Sequence, residues 1–495
     1  PNAFDDLQDA LTEAALPANQ DGRTNQLWVA QGTYTPSVPS GRDATFQLVN
    51  HTMVLGGFTG FEWAVTQRDP VTNITILTGD LNGNDTGGVG DPSRNDNAYH
   101  VVIGSNTNPT AVLDGFTITA GNGSGTGGLV RRDVGGGMFN QNGSPTVRDC
   151  ILSMNGAFYG AGMDNTDNSS PLLTNVLFSD NEATFDGGGM YLVKLSSPTL
   201  IGCSFEGNKS GKQGAGIYAT SFGNDEVHPV LTRCTFADNI AGSVGLGGGG
   251  IYVTGDDRGG TMRLEGCRFD RNKAKLGGGV HVNGARVWLT DCKFIKNKAQ
   301  TGNSSYGGGL YANSKYDNVR LYNCVFSGNS TEGNGGGAYF KIAYPNLTTP
   351  IVENCTFVGN FGTGSGGGMF LDNANAVVTN CIFWDNYDNG NPDTNQDESG
   401  QIDRQFSDDA LVSYSCIEGL DTLIGNGNIG TDPLFVDPTG GDDLNLNNDF
   451  FLGPGSLAID AENIARVTSI SEALPAAARN IAVSSSMPGS WLTAE

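Results

Sequence analysis

The sequence predicts an all-β fold, a parallel β-helix solenoid, and two phrases that recur roughly every 25 to 35 residues carry the prediction. The first phrase is a run of small residues, mostly glycine, followed by an apolar and usually an aromatic residue, as in Gly187–Tyr191. The second is Cys-x-Phe-x-x-Asn, as in Cys203–Asn208. Both phrases contain short stretches of alternating polarity bounded by Gly or Asn, which is typical of β-strands. We therefore expect two strands per coil, each stacked in parallel on its equivalents roughly 4.8 Å away.

The inward-facing residues of the second phrase are expected to form three ladders along the solenoid. The first ladder is Cys150, Val176, Cys203, Cys234, Cys267, Cys292, Cys324, Cys355 and Cys381. The second is Leu152, Phe178, Phe205, Phe236, Phe269, Phe294, Phe326, Phe357 and Phe383. The third is Asn155, Asn181, Asn208, Asn239, Asn272, Asn297, Asn329, Asn360 and Asn386. The aromatic ladder should fill the interior. The Asn ladder should mark a corner, because Asn tolerates left-handed backbone and its amide can bond the next Asn.

The glycine runs are expected at a second corner, where positive φ or close backbone approach leaves no room for a Cβ. Eight of the nine cysteines lie on the ladder, so we expect buried free thiols acting as small apolar fillers rather than disulfides. The absence of a Cys-x-x-Cys pair argues against metal or redox roles for these thiols.

Four regions are predicted along what should be one elongated domain. Residues 1–110 form an N-terminal cap and the first coils, with a capping helix from Asp5 to Ala15. Residues 111–420 form the regular coils, 421–463 a C-terminal closing module, and 464–495 an extended tail. Since the sequence opens at the edge of the expected helix, further residues are expected before Pro1.

The charge balance narrows the classes of partner. Lys and Arg number 27 against 52 Asp and Glu, a net charge of −25. Such a surface argues against nucleic acid and anionic membranes, and it favours divalent cations or cationic partners. No segment approaches the roughly 18 to 20 apolar residues of a transmembrane helix.

The repeats resemble those of polymorphic outer membrane proteins and other right-handed parallel β-helix surface proteins. The segment Asn2–Leu11 is similar to the N-terminal cap of large secreted bacterial β-helix proteins, and Leu77–Asn84 and Asn97–Val102 are similar to segments of the same proteins. Near the other end, Asp432–Asp437 and Asp449–Ala461 resemble the choice-of-anchor Q domain. The resemblance implies a right-handed coil and an exported, surface or extracellular protein, and it brings no catalytic motif.

One candidate site is a stripe of mostly aromatic residues that should face outward, because each follows the inward apolar residue of a glycine phrase. Its members are Phe139, Tyr191, Tyr218, Tyr252, His281, Tyr311, Tyr339 and Phe370, with Asp164 breaking the row. Rings at the coil spacing could stack on an extended polysaccharide or pack against a partner protein. The alternative is that the rings stack on one another beneath the loops on the glycine side.

Two acidic loops are candidate calcium sites. Asp80, Asn82, Asn84 and Asp91 place oxygen ligands at alternate positions and a carboxylate at the twelfth, although Asp85 takes the usual glycine position. The second loop offers Asp393, Asn395 and Asp397, and a further acidic stretch runs from Asp437 to Asp449. The alternative is that these loops are simply solvated.

The sequence favours a protein without enzymatic activity, although it leaves the question open. Asp256–Arg258 and the group Asp225, Glu226 and His228 are possible catalytic clusters, but neither has a distinctive spacing. We expect an exported structural or adhesive protein at the cell surface or outside the cell, self-associating as a subunit of a layer or filament or binding other surface proteins. The alternative is a polysaccharide-binding or polysaccharide-degrading β-helix.

Overall fold

The structure, a computed structural model, describes residues 4–20, 22–36, 41–126, 131–221, 225–242, 247–255, 260–300, 304–314, 319–342, 349–388, 397–405, 410–423, 427–435, 452 and 456–457. The chain winds as a parallel β-helix, which confirms the predicted fold class. Each regular coil passes through four stacked sheets, which we name C, A, B and D in chain order, and each strand pairs in parallel with its equivalents in adjacent coils. Thirteen strands in sheet A give a rod about 58 Å long at roughly 4.8 Å per coil.

The strands divide among the sheets as follows. Sheet A contains Asn25–Ala30, Thr52–Phe58, Ala111–Asp114, Thr146–Arg148, Leu172–Thr174, Thr199–Ile201, Val230–Thr232, Thr261–Glu265, Arg286–Thr290, Val319–Tyr322, Ile351–Glu353, Val377–Thr379 and Leu411–Ser413. Sheet B contains Gly32–Tyr34, Thr75–Thr78, Thr117–Thr119, Ile151–Ser153, Leu177–Ser179, Ser204–Glu206, Thr235–Ala237, Arg268–Asp270, Lys293–Ile295, Val325–Ser327, Thr356–Val358, Ile382–Trp384 and Cys416–Ile417. Sheet C contains Phe46–Gln47, Val102–Ile103, Met138–Gln141, Met163–Thr166, Met190–Leu192, Ile217–Ser221, Ile251–Gly255, Val280–Asn283, Leu310–Ser314, Ala338–Ile342, Met369–Asp372 and Ile402–Gln405. Sheet D contains Asn122–Gly123, Gly156–Tyr159, Glu182–Asp186, Lys209–Ser210, Ile240–Ala241, Lys273–Ala274, Lys298–Ala299, Ser330–Thr331 and Phe361–Gly362.

The expectation of two strands per coil is wrong, since the regular coils have four. The glycine phrase forms sheet C and the cysteine phrase forms sheet B, while sheets A and D were missed. Most strands of sheet D have two residues and many of sheet A have three, such as Leu172–Thr174 with only Leu173 buried. Strands of that length show too little alternation to be recognised from the sequence.

The cysteine and phenylalanine ladders lie in the interior, as expected. From Phe178 to Phe383, neighbouring Phe rings of the ladder stack face to face, with centroids 4.5–4.9 Å apart and planes within 13° of parallel. All nine cysteines are free and buried, which confirms the prediction of free thiols. Burial raises the pKa of the Cys150 thiol to about 12, so this thiol stays protonated and inert.

The Asn ladder is a continuous hydrogen-bonded column. The Nδ2 of Asn208 donates to Oδ1 of Asn239 at 3.0 Å and to the main-chain oxygen of Phe178 at 2.9 Å. The main-chain N–H of Asn208 donates to the same Oδ1 at 3.1 Å. The predicted bonding between successive Asn side chains is therefore confirmed.

The expectation that the ladder Asn itself adopts left-handed backbone was wrong. The left-handed residue is the one before the ladder Asn, as at Asp238, Arg271 and Lys296 with φ of 55°, 52° and 52°. These three residues are exposed, whereas the ladder Asn is buried. Because the amide has to point into the interior to reach the next coil, the chain reversal falls on the preceding, solvent-facing residue.

The glycine runs are explained by close contacts. A Cβ on Gly279, the third glycine of its run, would lie 2.7 Å from the Gly309 carbonyl oxygen and 2.8 Å from Cδ1 of Phe294. The first glycine of the run, Gly277, has a φ of 58°. The run thus combines a left-handed turn with a position where the backbone lies directly on the phenylalanine ladder.

A helix closes the N-terminal end of the solenoid, as predicted. Helix α1 spans Leu7–Ala14, and the Asp6 side chain caps it by accepting the Gln8 N–H at 2.8 Å. Leu7 and Leu11 pack into the solenoid core. The other described helices are four short 3-10 segments, Pro17–Asn19, Gly41–Asp43, Val65–Gln67 and Pro92–Asp96, and helix α2, Glu398–Gln401.

At the far end, Ile429 pairs with Cys416 and Phe435 pairs antiparallel with Leu452. Most of the predicted closing module after residue 435, and the whole predicted tail 464–495, lie outside the described residues. The region boundaries at 110, 420 and 463 stay predictions.

Candidate binding sites

The stripe predicted to face outward is buried, so the expectation that it forms a surface was wrong. We call it the aromatic row: Phe139, Tyr191, Tyr218, Tyr252, His281, Tyr311, Tyr339 and Phe370. Only 2 % of Tyr252 and 2 % of His281 is exposed, and Tyr191 and Tyr218 are half-buried. Neighbouring rings contact one another along sheet C: Tyr191 and Tyr218 stack with centroids 5.0 Å apart, whereas His281 meets its neighbours edge-on.

The segments between sheets D and C cover the aromatic row. The Tyr306 ring lies 4.8 Å from that of Tyr339, and the Tyr159 ring lies 5.3 Å from that of Tyr191. Leu276 packs into the same apolar cluster. The structure therefore agrees with the alternative interpretation, in which the rings contact one another beneath the segments on the glycine side. The buried rings cannot stack on a polysaccharide in this conformation.

Asp164 breaks the aromatic row with a buried carboxyl group. It pairs in register with Phe139 on one side and Tyr191 on the other, and it is fully buried. Neither of its carboxyl oxygens has a hydrogen-bond partner. Burial raises the pKa of Asp164 to about 8, so the group is largely protonated at neutral pH.

The first candidate calcium loop is organised by its own hydrogen bonds. Asp80 accepts the N–H of Asn84 at 3.1 Å. The Nδ2 of Asn82 donates to Asp96 at 2.5 Å, and Asp91 accepts the Ser93 N–H at 2.9 Å, at the start of the 3-10 helix Pro92–Asp96. The four predicted ligands thus lie in one loop, but each has a partner within it.

An arginine supplies positive charge to this loop. The Arg94 side chain is 4 % exposed, and its Nε lies 3.5 Å from the Asp85 carboxylate. Desolvation lowers the pKa of Arg94, and the negative charges of Asp85, Asp80 and Asp91 oppose that shift. Arg94 therefore contacts Asp85 and interacts through its charge with Asp80 and Asp91, the two carboxylates that the calcium prediction assigned to a metal ion.

The second candidate loop lies mostly outside the described residues, including Asp393 and Asn395, as does nearly all of the acidic stretch 437–449. Asp397 is described and caps helix α2 by accepting the Gly400 N–H at 3.1 Å. Over the described ranges there is no group of three or more His, Cys, Asp and Glu side chains that could hold a metal ion. Calcium binding stays a prediction.

The candidate catalytic residues form one hydrogen-bonded pair. His228 Nε2 lies 3.0 Å from Glu226, and His228 Nδ1 accepts the Thr261 N–H at 3.0 Å. Both ring nitrogens are therefore engaged, which leaves neither available to a substrate in this conformation. The cluster Asp256–Arg258 lies outside the described residues.

A cleft at the N-terminal end of the rod is the site that sequence reasoning missed. It has a volume of about 800 Å³ and lies between the start of helix α1 and the first strand of sheet A, Asn25–Ala30. Its lining includes Phe4, Asp5 and Leu7 at the start of the chain and Phe58 and Glu62 from the second strand of sheet A and the loop after it. Among the described residues, Asn25–Ala30 is the edge strand of sheet A, so one side of the cleft is a strand edge without a partner strand in that part of the chain.

The loop beside this cleft, residues 59–74, exposes large apolar side chains on an ordered backbone. Phe61 is 92 % and Trp63 is 83 % exposed. The Glu62 carboxylate accepts the N–H groups of Thr59, Gly60 and Phe61 at 2.7–3.1 Å, and these hydrogen bonds lower the pKa of Glu62 to about 2. The sequence feature that could have indicated an exposed apolar surface here is the pair Phe61 and Trp63. They flank Glu62 in a segment that lacks the alternating pattern of a strand.

Comparison with known proteins identifies the fold family. The family described as "right handed beta helix region" matches residues 93–228 and 216–398, which together cover more than half of the chain. No curated protein and no solved structure matches the chain. In the described ranges, no helix is long and apolar enough to cross a membrane. With its stacked parallel coils and this match, the chain belongs to the right-handed β-helix family.

Proposed function

We propose that this is an exported structural or adhesive protein of the cell surface or extracellular space. The solenoid acts as a rigid spacer, and the N-terminal end carries the contact surface. The resemblance of the repeats to polymorphic outer membrane proteins, and of Asp432–Asp437 and Asp449–Ala461 to the choice-of-anchor Q domain, supports export and a surface or extracellular location. A self-associating layer or filament is the larger arrangement that this role implies.

One observation carries the proposal: the exposed large aromatic residues of the described chain cluster at one end of the rod. They are Phe4, Trp28, Phe61 and Trp63. In contrast, the aromatic row on the side of the rod is buried. Exposed apolar patches on a soluble protein mark interaction sites, so the contact surface is assigned to the end and not to the side.

Light scattering on the full chain, with calcium and then with a chelator, tests this proposal. We expect particles larger than the 51.7 kDa chain mass. Loss of these particles on chelation would place calcium at the contacts between subunits. The double variant Phe61→Ser/Trp63→Ser should remain monomeric, whereas Leu172→Ser/Leu195→Ser, which changes exposed side chains on the coils, should assemble normally. A monomer in every condition would contradict self-association. The adhesive role would then require binding to a protein other than a second copy of this chain.

The second candidate is polysaccharide binding, and a different feature of the same end favours it. Trp28, Asp5 and Glu62 all line the cleft, and a site that combines an aromatic ring with hydrogen-bonding groups suits sugar rings. Retarded migration in gels containing a polysaccharide, abolished by Trp28→Ala, would support this candidate over a protein contact.

A further inference from the structure

We infer that the N-terminal cleft binds an extended, basic polypeptide segment of a partner protein as an additional strand of sheet A. The inference rests on the proposed function for placing the contact surface at this end of the rod, and it adds the chemical class of the partner. It depends on three features of the cleft: its strand edge, its walls and its charge.

The strand edge offers main-chain hydrogen bonds. Asn25 pairs with Thr52, and the Asn25 N–H donates to the His51 oxygen at 2.7 Å. In a parallel pair of strands, every second residue hydrogen-bonds to the neighbouring strand, here Thr52–Phe58. Since Asn25 bonds to that strand, the main-chain groups of Gln26 and Trp28 point to the opposite side, towards the cleft. An extended peptide in the cleft would bond these groups, as in strand addition to other exposed sheet edges.

The walls suit a peptide with apolar residues. Phe4 and Trp28 line the cleft and are 51 % and 39 % exposed, and the Trp28 ring stacks on the buried Phe58 ring at 4.8 Å with planes 7° apart. The Tyr34 hydroxyl already donates to the Ala30 carbonyl at 2.9 Å, which closes the edge at the end of the strand. The open stretch is therefore short, about the length of a strand of five or six residues.

The charge of the cleft selects a basic segment. Its lining includes Asp5, Asp6 and Glu62 and contains no Lys, Arg or His. The depressed pKa of Glu62 keeps that carboxylate ionised down to acidic pH. A lysine or arginine on the bound segment would gain from this field, and an acidic segment would be repelled.

The same charges argue against a second copy of this chain as the occupant. The last described coil would have to approach the cleft in head-to-tail stacking. The described residues of that coil, 402–405 and 410–423, contain the acidic residues Asp403, Glu418 and Asp421 and one basic residue, Arg404. Placing the last coil of one copy against the acidic cleft of another would bring negative charges together. A basic partner is therefore favoured over a second copy of this chain as the occupant of the cleft.

A labelled seven-residue peptide of alternating Lys and Val, followed by fluorescence anisotropy with the full chain, tests the inference. We expect saturable binding that weakens as salt increases, and at least tenfold weaker binding of the peptide with Glu in place of Lys. A peptide N-methylated at alternate amides on its bonding edge should also bind at least tenfold more weakly. Equal binding of the N-methylated peptide, or no binding of the Lys peptide, would overturn the inference.

Two protein variants form a matched pair at the strand edge. Gln26→Pro removes the N–H that points to the cleft, and proline is tolerated on an edge strand where that N–H is unpaired. Gln26→Ala removes the same side chain and keeps the N–H. We expect Gln26→Pro to bind the Lys peptide at least tenfold more weakly than Gln26→Ala, and Asp5→Asn to bind it severalfold more weakly than the unaltered chain.

Equal affinities of Gln26→Pro and Gln26→Ala would overturn strand addition. If circular dichroism shows that Gln26→Pro is unfolded, the N-methylated peptide on the unaltered chain decides the question. Competition by an oligosaccharide, with no effect of either peptide modification, would identify the cleft as a sugar site and overturn the inference. Peptide binding is measured independently of the light-scattering result, so failure of one proposal is distinguishable from failure of the other.

Discussion

The main-chain N–H and the side-chain amide of Asn239 both donate to Oδ1 of Asn272, at 3.1 and 2.9 Å. Asn272 in turn donates from its Nδ2 to Oδ1 of Asn297 and to the main-chain oxygen of Phe236. One buried oxygen therefore accepts two hydrogen bonds from the coil before. Each asparagine fastens its own corner and also those of its neighbours.

Replacing Asn272 with Ala should lower the free energy of unfolding by about 2–4 kcal/mol, because it leaves buried donors and acceptors of two coils unsatisfied. Urea unfolding measures the loss, and hydrogen exchange should show that the amide of Asn239 loses protection. Glu206→Ala, at an exposed position on the strand before another corner of the ladder, serves as the control and should change stability by less than about 0.5 kcal/mol. Similar effects of the two variants would contradict a structural role for the column.

Replacing Gly279 with Ala should be severely destabilising, by about 3 kcal/mol or more, although its φ is not positive. The new methyl group would contact the Gly309 carbonyl and the Phe294 ring, and neither can move without disturbing the next coil. Gly359→Ala is the comparison, since its φ is 61° but a Cβ there would meet open space. We expect the thermal midpoint to fall further for Gly279→Ala than for Gly359→Ala, and the reverse order would refute the steric explanation.

The double variant Tyr252→Ala/Tyr311→Ala separates a buried row from a binding surface. Both rings are buried, at 2 % and 7 % exposure, so their truncation should cost several kcal/mol of stability. The Tyr→Phe pair at the same positions should cost much less, because it keeps the stacked rings. A double Ala variant with unchanged stability and lost binding to a glycan or a partner would restore the surface interpretation.

Asp164 should make stability fall as pH rises. Burial raises its pKa from the ordinary 3.8 to about 8 in the folded protein, so the folded state binds this proton more tightly than the unfolded state. The stabilising contribution of this proton is complete below about pH 4 and is lost progressively as the pH rises to about 8. Its size is about 1.4 kcal/mol for each unit by which the folded-state pKa exceeds the unfolded-state pKa. Asp186, whose pKa burial raises to about 6, adds to the loss between about pH 4 and 6.

Asp164→Asn should therefore gain stability relative to the unaltered chain as pH rises, so the difference in unfolding midpoint should grow from about pH 5 to about pH 9. Glu206→Gln, at an exposed position, should give a difference that does not grow with pH. A constant difference for Asp164→Asn across this range would show that the carboxyl group is solvated.

Much of the fold could be read from the sequence because the solenoid repeats its contacts. From Phe178 on, each regular coil contributes one Phe, such as Phe326, and one Asn, such as Asn329, to the same two columns. Residues that recur at the repeat period in the sequence are therefore the residues that contact one another in the structure. The helix at Leu7–Ala14 was predictable from its local pattern. Sheets A and D were not, since most of their strands are too short to show a period.

The candidate sites were less predictable, because exposure depends on what packs over a residue. Alternation correctly indicated that Tyr252 points away from the interior, but it carried no information on the segments that cover the ring. Likewise, the spacing of Asp80 and Asp91 gave no sign that Arg94 would be buried in the same loop, 3.5 Å from the Asp85 carboxylate.

The sequence by itself determined the coil period, the interior ladders, the free thiols and the capping helix, because each follows from contacts between residues at equivalent positions. Only the tertiary structure decided that the aromatic row is covered, that the left-handed residue precedes each ladder Asn, and that an open strand edge meets an acidic cleft at Gln26 and Trp28. The covered row and the cleft arise from contacts between separate segments, which alternation within one strand does not record. The left-handed residue is local and recurs in each coil, but several residue types occupy it, such as Asp238, Arg271 and Lys296, so no residue pattern marks it.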